Sequence, residues 1–435
     1  MKEKVHQGPY RIESIVPRGL VVDLDERPEL AIKWGMPINL KDIEQAAQVI
    51  KSKISKTQLL HSRSCSRWLG TDIYLKYENQ QMTGSFKIRG AFNKVSSLTE
   101  SEKARGIVAC SAGNHAQGVA LSASYIGVKA HVVMPVNSPL VKVMATQSYG
   151  AEVILHGEFF DEAYARAREL EQQMGYVFVH PYEDPKVIAG QGTIGLEILE
   201  DLPDVDSIVV PIGGGGLISG IATAVKARRP QCKIYGVVSD NTPGMYHLFK
   251  GEPEKKAPNR PTIADGTAVK APSKLMYQDY ISRLVDEVIR IKDDEISEAM
   301  VFLLERSKTL VEGAGAMPLA AALKKTLDLG KKSVFILSGG NVDLNALANI
   351  IERGMSRRGR LARLQVVVND VPGNLHKITG VLADQRANVL EVYHDRLGMG
   401  LDISETSIEF LLETRSPEHV EEIKRILLAQ GARVL

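Results

Sequence analysis

The chain has 435 residues, more than one domain of ordinary size, and its 44% hydrophobic and 24% charged residues are the balance of a soluble globular protein. A net charge of +2 is too small to point to nucleic acid or an anionic membrane, which leaves small molecules and copies of itself as partners. Cys65, Cys110 and Cys232 are far apart with no Cys-x-x-Cys spacing, so neither a disulfide framework nor a metal site is indicated and a reducing cytoplasm is favoured.

In chain order, residues 1–35 are rich in Pro, Arg, Asp and Glu, carry no assignable motif and lack a signal-peptide core; they are expected to be partly disordered or wrapped on a neighbour. No apolar run reaches the length of a membrane span. The first chemical motif is Gly84-Ser85-Phe86-Lys87-Ile88-Arg89-Gly90-Ala91. Flanked by Phe86 and a small-residue helix start, Lys87 can be held partly desolvated, which lowers its pKa and leaves an amine able to form a Schiff base. Taken alone it reads as a solvated helix-face lysine. Two further motifs change that reading.

The second is Ser111-Ala112-Gly113-Asn114-His115, between the apolar run 106–109 and the helical pattern 119–126. A strand, a tight turn and a helix start leave free backbone N–H groups that suit the carboxylate of an amino acid, and the Asn114 amide can reach a ring hydroxyl. The same residues are compatible with an ordinary turn in which Asn114 caps the helix and His115 is a satisfied surface side chain. The third is Gly213-Gly214-Gly215-Gly216-Leu217, between the strand-like 207–212 and the helix-like 217–228. Four glycines there let the backbone wrap a phosphate. Neither a Walker loop nor a dinucleotide fingerprint fits, because no Gly-Lys-Ser/Thr follows and the sixth positions are Ile218 and Ser219. A fourth piece, Leu337-Ser338-Gly339-Gly340-Asn341, follows the apolar run 333–336.

Lysine for an imine, turn amides for a carboxylate and a glycine cup for a phosphate suit one cofactor, pyridoxal 5'-phosphate. With Thr262-Ile263-Ala264-Asp265-Gly266 and Glu312-Gly313-Ala314-Gly315-Ala316 in view, residues 36–350 resemble the fold-type II pyridoxal-phosphate family, and within it the threonine ammonia-lyases. The resemblance implies an α/β, tryptophan synthase β-like, two-lobed parallel-sheet domain over 36–353. It implies that Lys87 and Phe86 sit at the cofactor, Asn114 contacts its ring hydroxyl, Gly213, Gly214, Gly215, Gly216 and Leu217 bind its phosphate, and Ser338 faces the pyridine nitrogen. Ser111, Ala112, Gly113, Asn114 and His115 would bind substrate. Because Ser338 carries no charge, a neutral ring suited to β-elimination is expected, releasing a 2-oxo acid and ammonia from threonine and, as a side activity, from serine. Serine racemases of the same fold carry a hydroxyl where this chain has Ala112, and at their divalent-metal positions it has Val238 and Gly244, so no metal is expected.

Segments 129–135, 152–155, 207–212, 233–238 and 333–337 read as buried strands separated by helical stretches, a mostly parallel sheet. The basic run 353–363 reads as a solvated linker, placed at 354–362. Beyond it, strands at 364–368, 389–394, 407–413 and 432–435 and helices at 374–387 and 417–430 make a βαββαβ unit over 363–435. This unit resembles an ACT domain, which implies amino-acid effector binding at Gly373, Asn374 and Leu375 and pairing between copies in a homo-oligomer, dimer or tetramer. Two alternatives stay open: a serine racemase or serine dehydratase of the same fold, and an amino-acid-sensing binding protein whose large domain is inert.

Overall fold

A computed structural model of the chain describes residues 37–252, 260–397 and 400–435. The amino-terminal segment 1–35, whose composition suggests disorder or wrapping on a neighbour, lies outside the described residues.

Ten of the described strands build two sheets. They are β1 (Leu59–His61), β2 (Asp72–Lys76), β3 (Ile107–Cys110), β4 (Ala130–Met134), β5 (Glu152–Leu155), β6 (Val177–Phe178), β7 (Ser207–Pro211), β8 (Lys233–Ser239), β9 (Glu287–Ile291) and β10 (Lys332–Ile336). The larger sheet runs β1-β2-β10-β7-β8-β9 and is parallel except for β1, which pairs antiparallel with β2 at one edge. The smaller runs β5-β4-β3-β6, all parallel. Every residue of β7 is buried, as a central parallel strand with helices on both faces requires. Its side chains alternate between two cores: Ile208 and Val210 pack with Ile234, Val334 and Ile336, whereas Val209 packs with Leu75 and Phe335 on the other face.

In these two sheets the expected strands fall within a residue or two of their observed positions, while β1, β2, β6 and β9 have no counterpart in the sequence reading. In β2 the last residue is Lys76, wholly buried, which no hydropathy pattern marks as interior. Its ammonium donates to the Thr57 carbonyl at 2.7 Å and pairs with Glu197 at 2.6 Å. Glu197 also meets Arg89 at 2.6 Å, and Arg89 meets the buried Glu78 at 2.8 Å. Two positive and two negative groups therefore satisfy one another inside the fold. Burial alone would push the Glu78 carboxyl up; Arg89 and Lys76 outweigh it and hold it below the usual range. This cluster anchors the helix Lys87–Ser96 two residues after its first side chain.

The carboxy-terminal unit consists of β11 (Leu361–Asn369), β12 (Asn388–Asp395), β13 (Glu405–Glu413) and β14 (Arg433–Val434), an antiparallel sheet in the order β12-β13-β11-β14. Helices Asn374–Asp384 and Pro417–Ala429 cover one face through Ile378, Leu382, Ile423 and Leu427, packed on Leu364, Val366, Phe410 and Leu412. Ser416 caps the second helix by accepting from the His419 N–H, with Pro417 in its first turn. The basic run differs from a solvated linker. Helix Leu344–Arg357 and β11 take up most of 354–362, and Arg357 pairs with Glu298 while Arg358 and Arg360 both pair with Glu305. Carboxylates on the helix Asp293–Arg306, far away in sequence, hold those side chains in place.

Candidate active site

A cavity of about 730 Å³ opens between the two sheets, and all four motifs line it. Lys87 is the first residue of its helix. The segment leading to it is stitched to the fourth motif: Phe86 N–H donates to the Ser338 carbonyl at 3.1 Å, and Gly340 N–H to the Gly84 carbonyl at 2.9 Å. The amine points across the cavity and donates to the Pro181 carbonyl at 3.0 Å, with its nitrogen 5.3 Å from the centre of the Phe86 ring. Burial pushes its pKa down to about 8, the charge of Glu312 acting in the opposite direction.

The second motif begins where β3 ends. Gly113 occupies the cap position of helix Asn114–Ile126 and no side chain caps it, so Asn114 is not a cap. Its amide is turned into the cavity instead, donating to Glu312 and accepting from Asn341. Ser111 Oγ accepts from the Gly113 N–H at 3.2 Å and shapes the turn. His115 is not a surface residue: it is buried, and because a carbonyl only accepts, its Nε2 donates to Val179 at 2.8 Å. Burial holds the ring neutral, its pKa pushed down to about 3, with Lys87 acting in the same direction. What His115 offers a ligand is therefore its backbone N–H at the helix start rather than a charged ring.

The glycine run leads from β7 into helix Gly216–Arg228, with Gly215 at φ +99°. A helix's first N–H groups have no carbonyl one turn back, so this turn is open to an anion. A Cβ at Gly214 would lie 2.2 Å from the Tyr182 ring, so only glycine lets the 180–183 loop, which carries the lysine's carbonyl partner, rest on the turn. Ser338 is buried and lines the cavity. The donor set fits the cofactor it resembles: one amine, one anion turn and one uncharged hydroxyl converge on a single cavity. Val238 is buried in β8 and Gly244 starts helix Gly244–Lys250, and neither side chain offers a metal-ligating atom.

Several cavity residues carry no sequence signal of their own. Glu312, in a segment that carries the resemblance but no role of its own, is buried, and its carboxyl is pushed up to about 7 by burial and by Asp265, against the Asn114 bond and Lys142. Two ion pairs cross the cavity mouth between the lobes, Lys142 with Asp265 at 2.6 Å and Lys270 with Asp161 at 3.1 Å. In the carboxy-terminal unit, Gly373, Asn374 and Leu375 line a separate cavity of about 250 Å³ beside Asp370, His394 and Arg396, with Arg396 paired to Asp370 at 2.8 Å.

An amine of depressed basicity facing a glycine anion turn, on two lobes of parallel sheet, defines the class of pyridoxal-phosphate enzymes built on the fold-type II scaffold. The family model described as pyridoxal-phosphate dependent enzyme matches residues 50–339, and the chain belongs to that family. Among its relatives, an L-threonine ammonia-lyase of Thermotoga maritima is 48% identical over 397 residues, 91% of this chain and 99% of that protein. A catabolic L-threonine dehydratase of Escherichia coli is also 48% identical, over 73% of this chain and 98% of its own. The structure of maize serine racemase is similar too, with a TM-score of 0.68 at 35% identity, covering 73% of this chain and 98% of that one. Among the described residues no helix is long and apolar enough to cross a membrane.

Proposed function

We propose that this chain is a threonine ammonia-lyase that converts L-threonine to 2-oxobutanoate and ammonia, with L-serine as a poorer substrate giving pyruvate. The observation that carries the reading is the Lys87 amine, depressed to about 8, set between the Ser111-to-His115 turn and the glycine turn in one cavity. When bound, pyridoxal phosphate supplies an electron sink for the electrons freed at the substrate α-carbon. Lys87 would hold the cofactor and, when free, would be the base for the α-proton; with its pKa lowered to about 8, a far larger share of the amine is neutral near physiological pH than for an ordinary lysine. The N–H groups of the 111–115 turn hold the substrate carboxylate, Asn114 the ring hydroxyl and the 213–217 turn the phosphate. Ser338, having no charge to give the ring nitrogen, favours elimination over a long-lived carbanion. Ala112, in the cavity wall, offers no proton donor, which argues against the racemase activity named for the maize protein. A pocket filled by the threonine methyl distinguishes the two substrates by only about 1–3 kcal/mol.

The regulatory reading concerns the division into a catalytic domain over 36–353 and an ACT-like domain over 363–435. In it, isoleucine, with valine as competitor, binds near Gly373, Asn374 and Leu375 between paired units of a cytoplasmic homo-oligomer, as suits feedback control of isoleucine biosynthesis. Supporting this are the cavity at those residues and the exposed Leu390, Val392 and Tyr393 on the edge strand β12, an apolar edge of the kind that pairs with another chain. The E. coli relative, matching only 73% of this chain but 98% of itself, supports a separable catalytic part.

The test is 2-oxo acid formation from threonine and serine by wild type and Lys87→Ala. The variant should lose the visible absorbance of the lysine-bound cofactor and nearly all activity. A colourless wild-type protein, inert toward both amino acids, would favour the sensing-only alternative.

A further inference from the structure

Glu312, Asn114 and Asn341 form a hydrogen-bonded chain that ends on the Thr83 backbone carbonyl, a group that only accepts. Asn341 Nδ2 donates to the Thr83 carbonyl at 2.8 Å and to Asn114 Oδ1 at 2.8 Å. Asn114 Nδ2 donates to Glu312 Oε1 at 2.8 Å and Oε2 at 3.1 Å. The Thr83 backbone carbonyl has no hydrogen to offer, so turning Asn341 over would set oxygen against oxygen; with its Nδ2 so placed, Asn114 must present Oδ1 to it and Nδ2 to Glu312. Both amide orientations are thereby decided, and Asn114 can face the cavity in one way only. The carboxylate is itself held. Glu312 N–H donates to the Gly339 carbonyl at 2.9 Å, and a Cβ at Gly339 would lie 2.3 Å from Glu312 Oε1, so the glycine leaves the carboxylate its place. The charged groups around it are Asp265, Lys142, which is paired with Asp265, and Lys87 across the cavity.

We propose that Glu312 is a positioning residue that acts through Asn114, fixing that amide for the bound cofactor. The proposal rests on the reading that Lys87 and Asn114 hold pyridoxal phosphate. A purely structural carboxylate would affect folding but would not depend on Asn114.

The experiment is a double-mutant cycle on the full-length chain, titrated with pyridoxal phosphate and followed by the visible absorbance of the lysine-bound cofactor. Glu312→Ala and Asn114→Ala should each weaken binding by roughly 10- to 100-fold and shift the absorption maximum, as loss of a charge-assisted hydrogen bond implies. The double variant should bind within about twofold of Asn114→Ala, because the second change removes nothing further. Glu312→Gln, whose amide oxygen still accepts from Asn114, should stay within about threefold of wild type. If Glu312→Ala does not fold, Glu312→Asp, which withdraws the carboxylate by one methylene, takes its place in the cycle. Additive losses, or a Glu312→Ala protein that binds with wild-type affinity and spectrum, would overturn the proposal. A wild-type chain that takes up no cofactor would instead overturn the functional reading beneath it.

Discussion

Asn114 and Glu312 stand 198 positions apart in the chain and meet at 2.8 and 3.1 Å. The first belongs to the helix that follows β3 in the smaller lobe, the second to the cap position of helix Gly313–Leu323 on the larger. Glu312 caps nothing with its side chain, although the helix dipole favours a negative charge there. Its carboxyl is turned across the cleft instead, so the two lobes share a polar contact at the place where Lys87 enters.

That placement has a pH signature in the cofactor-free chain. The Glu312 carboxyl rises from its ordinary 4.5 to about 7, so between those values the folded chain binds a proton that the unfolded chain does not. Its contribution to stability is complete below pH 4.5 and is lost as pH rises through 7. Lys87 falls from 10.5 to about 8, so its contribution is lost as pH drops through 8 and is regained above 10.5. Melting temperature should fall across the first window in wild type and fall less in Glu312→Gln. Equal slopes in the two proteins would show that Glu312 does not titrate there.

Ala112 lines the cavity within the 111–115 turn and offers no proton. Ala112→Ser should gain measurable racemisation of serine, since a placed acid or base contributes on the order of 10² to 10⁴-fold in rate. The check is chiral analysis of serine after incubation with each enzyme. Wild type racemising serine as fast as it deaminates it would contradict the role given to this alanine.

A chain ending near Arg357 should keep threonine deamination and lose its response to isoleucine. An effector can bias two states only by its differential affinity for them, typically about 1–3 kcal/mol, so the expected effect is a several-fold change rather than an on–off switch. Isoleucine titration of both proteins decides it. Equal inhibition would place the regulatory site elsewhere, and no effect on either would leave the unit as a pairing element.

Arg89 is fully buried between Glu78 and Glu197. Arg89→Met should cost about 3–5 kcal/mol in urea unfolding, because it leaves Glu78 buried without its main partner. Since Arg89 is two residues from Lys87 on the same helix, the cofactor's visible absorbance should weaken as well. Wild-type stability in the variant would mean that water or Lys76 suffices to satisfy Glu78.

By itself the sequence determined the elements whose causes are local. Apolar runs such as Ile208, Val209 and Val210 become central strands because nothing polar interrupts them, and the glycines at 213–216 mark the turn because Gly215 takes a positive φ there. Lys87, Asn114 and Ser338 could be picked out as candidates because each sits in a short pattern, and the fold brings all three to one cavity. The capping role open to Asn114 and the surface role open to His115 were settled only by the fold, which turns one amide to Glu312 and closes Val179 over the other ring. Likewise the tertiary structure alone decided that Glu312 and Lys76 are interior, that Arg358 and Arg360 are tied to Glu305, and that Lys142 meets Asp265 across the cleft. A charged side chain is buried or exposed according to the partner that meets it. That partner comes from a distant part of the chain, where no local pattern records it.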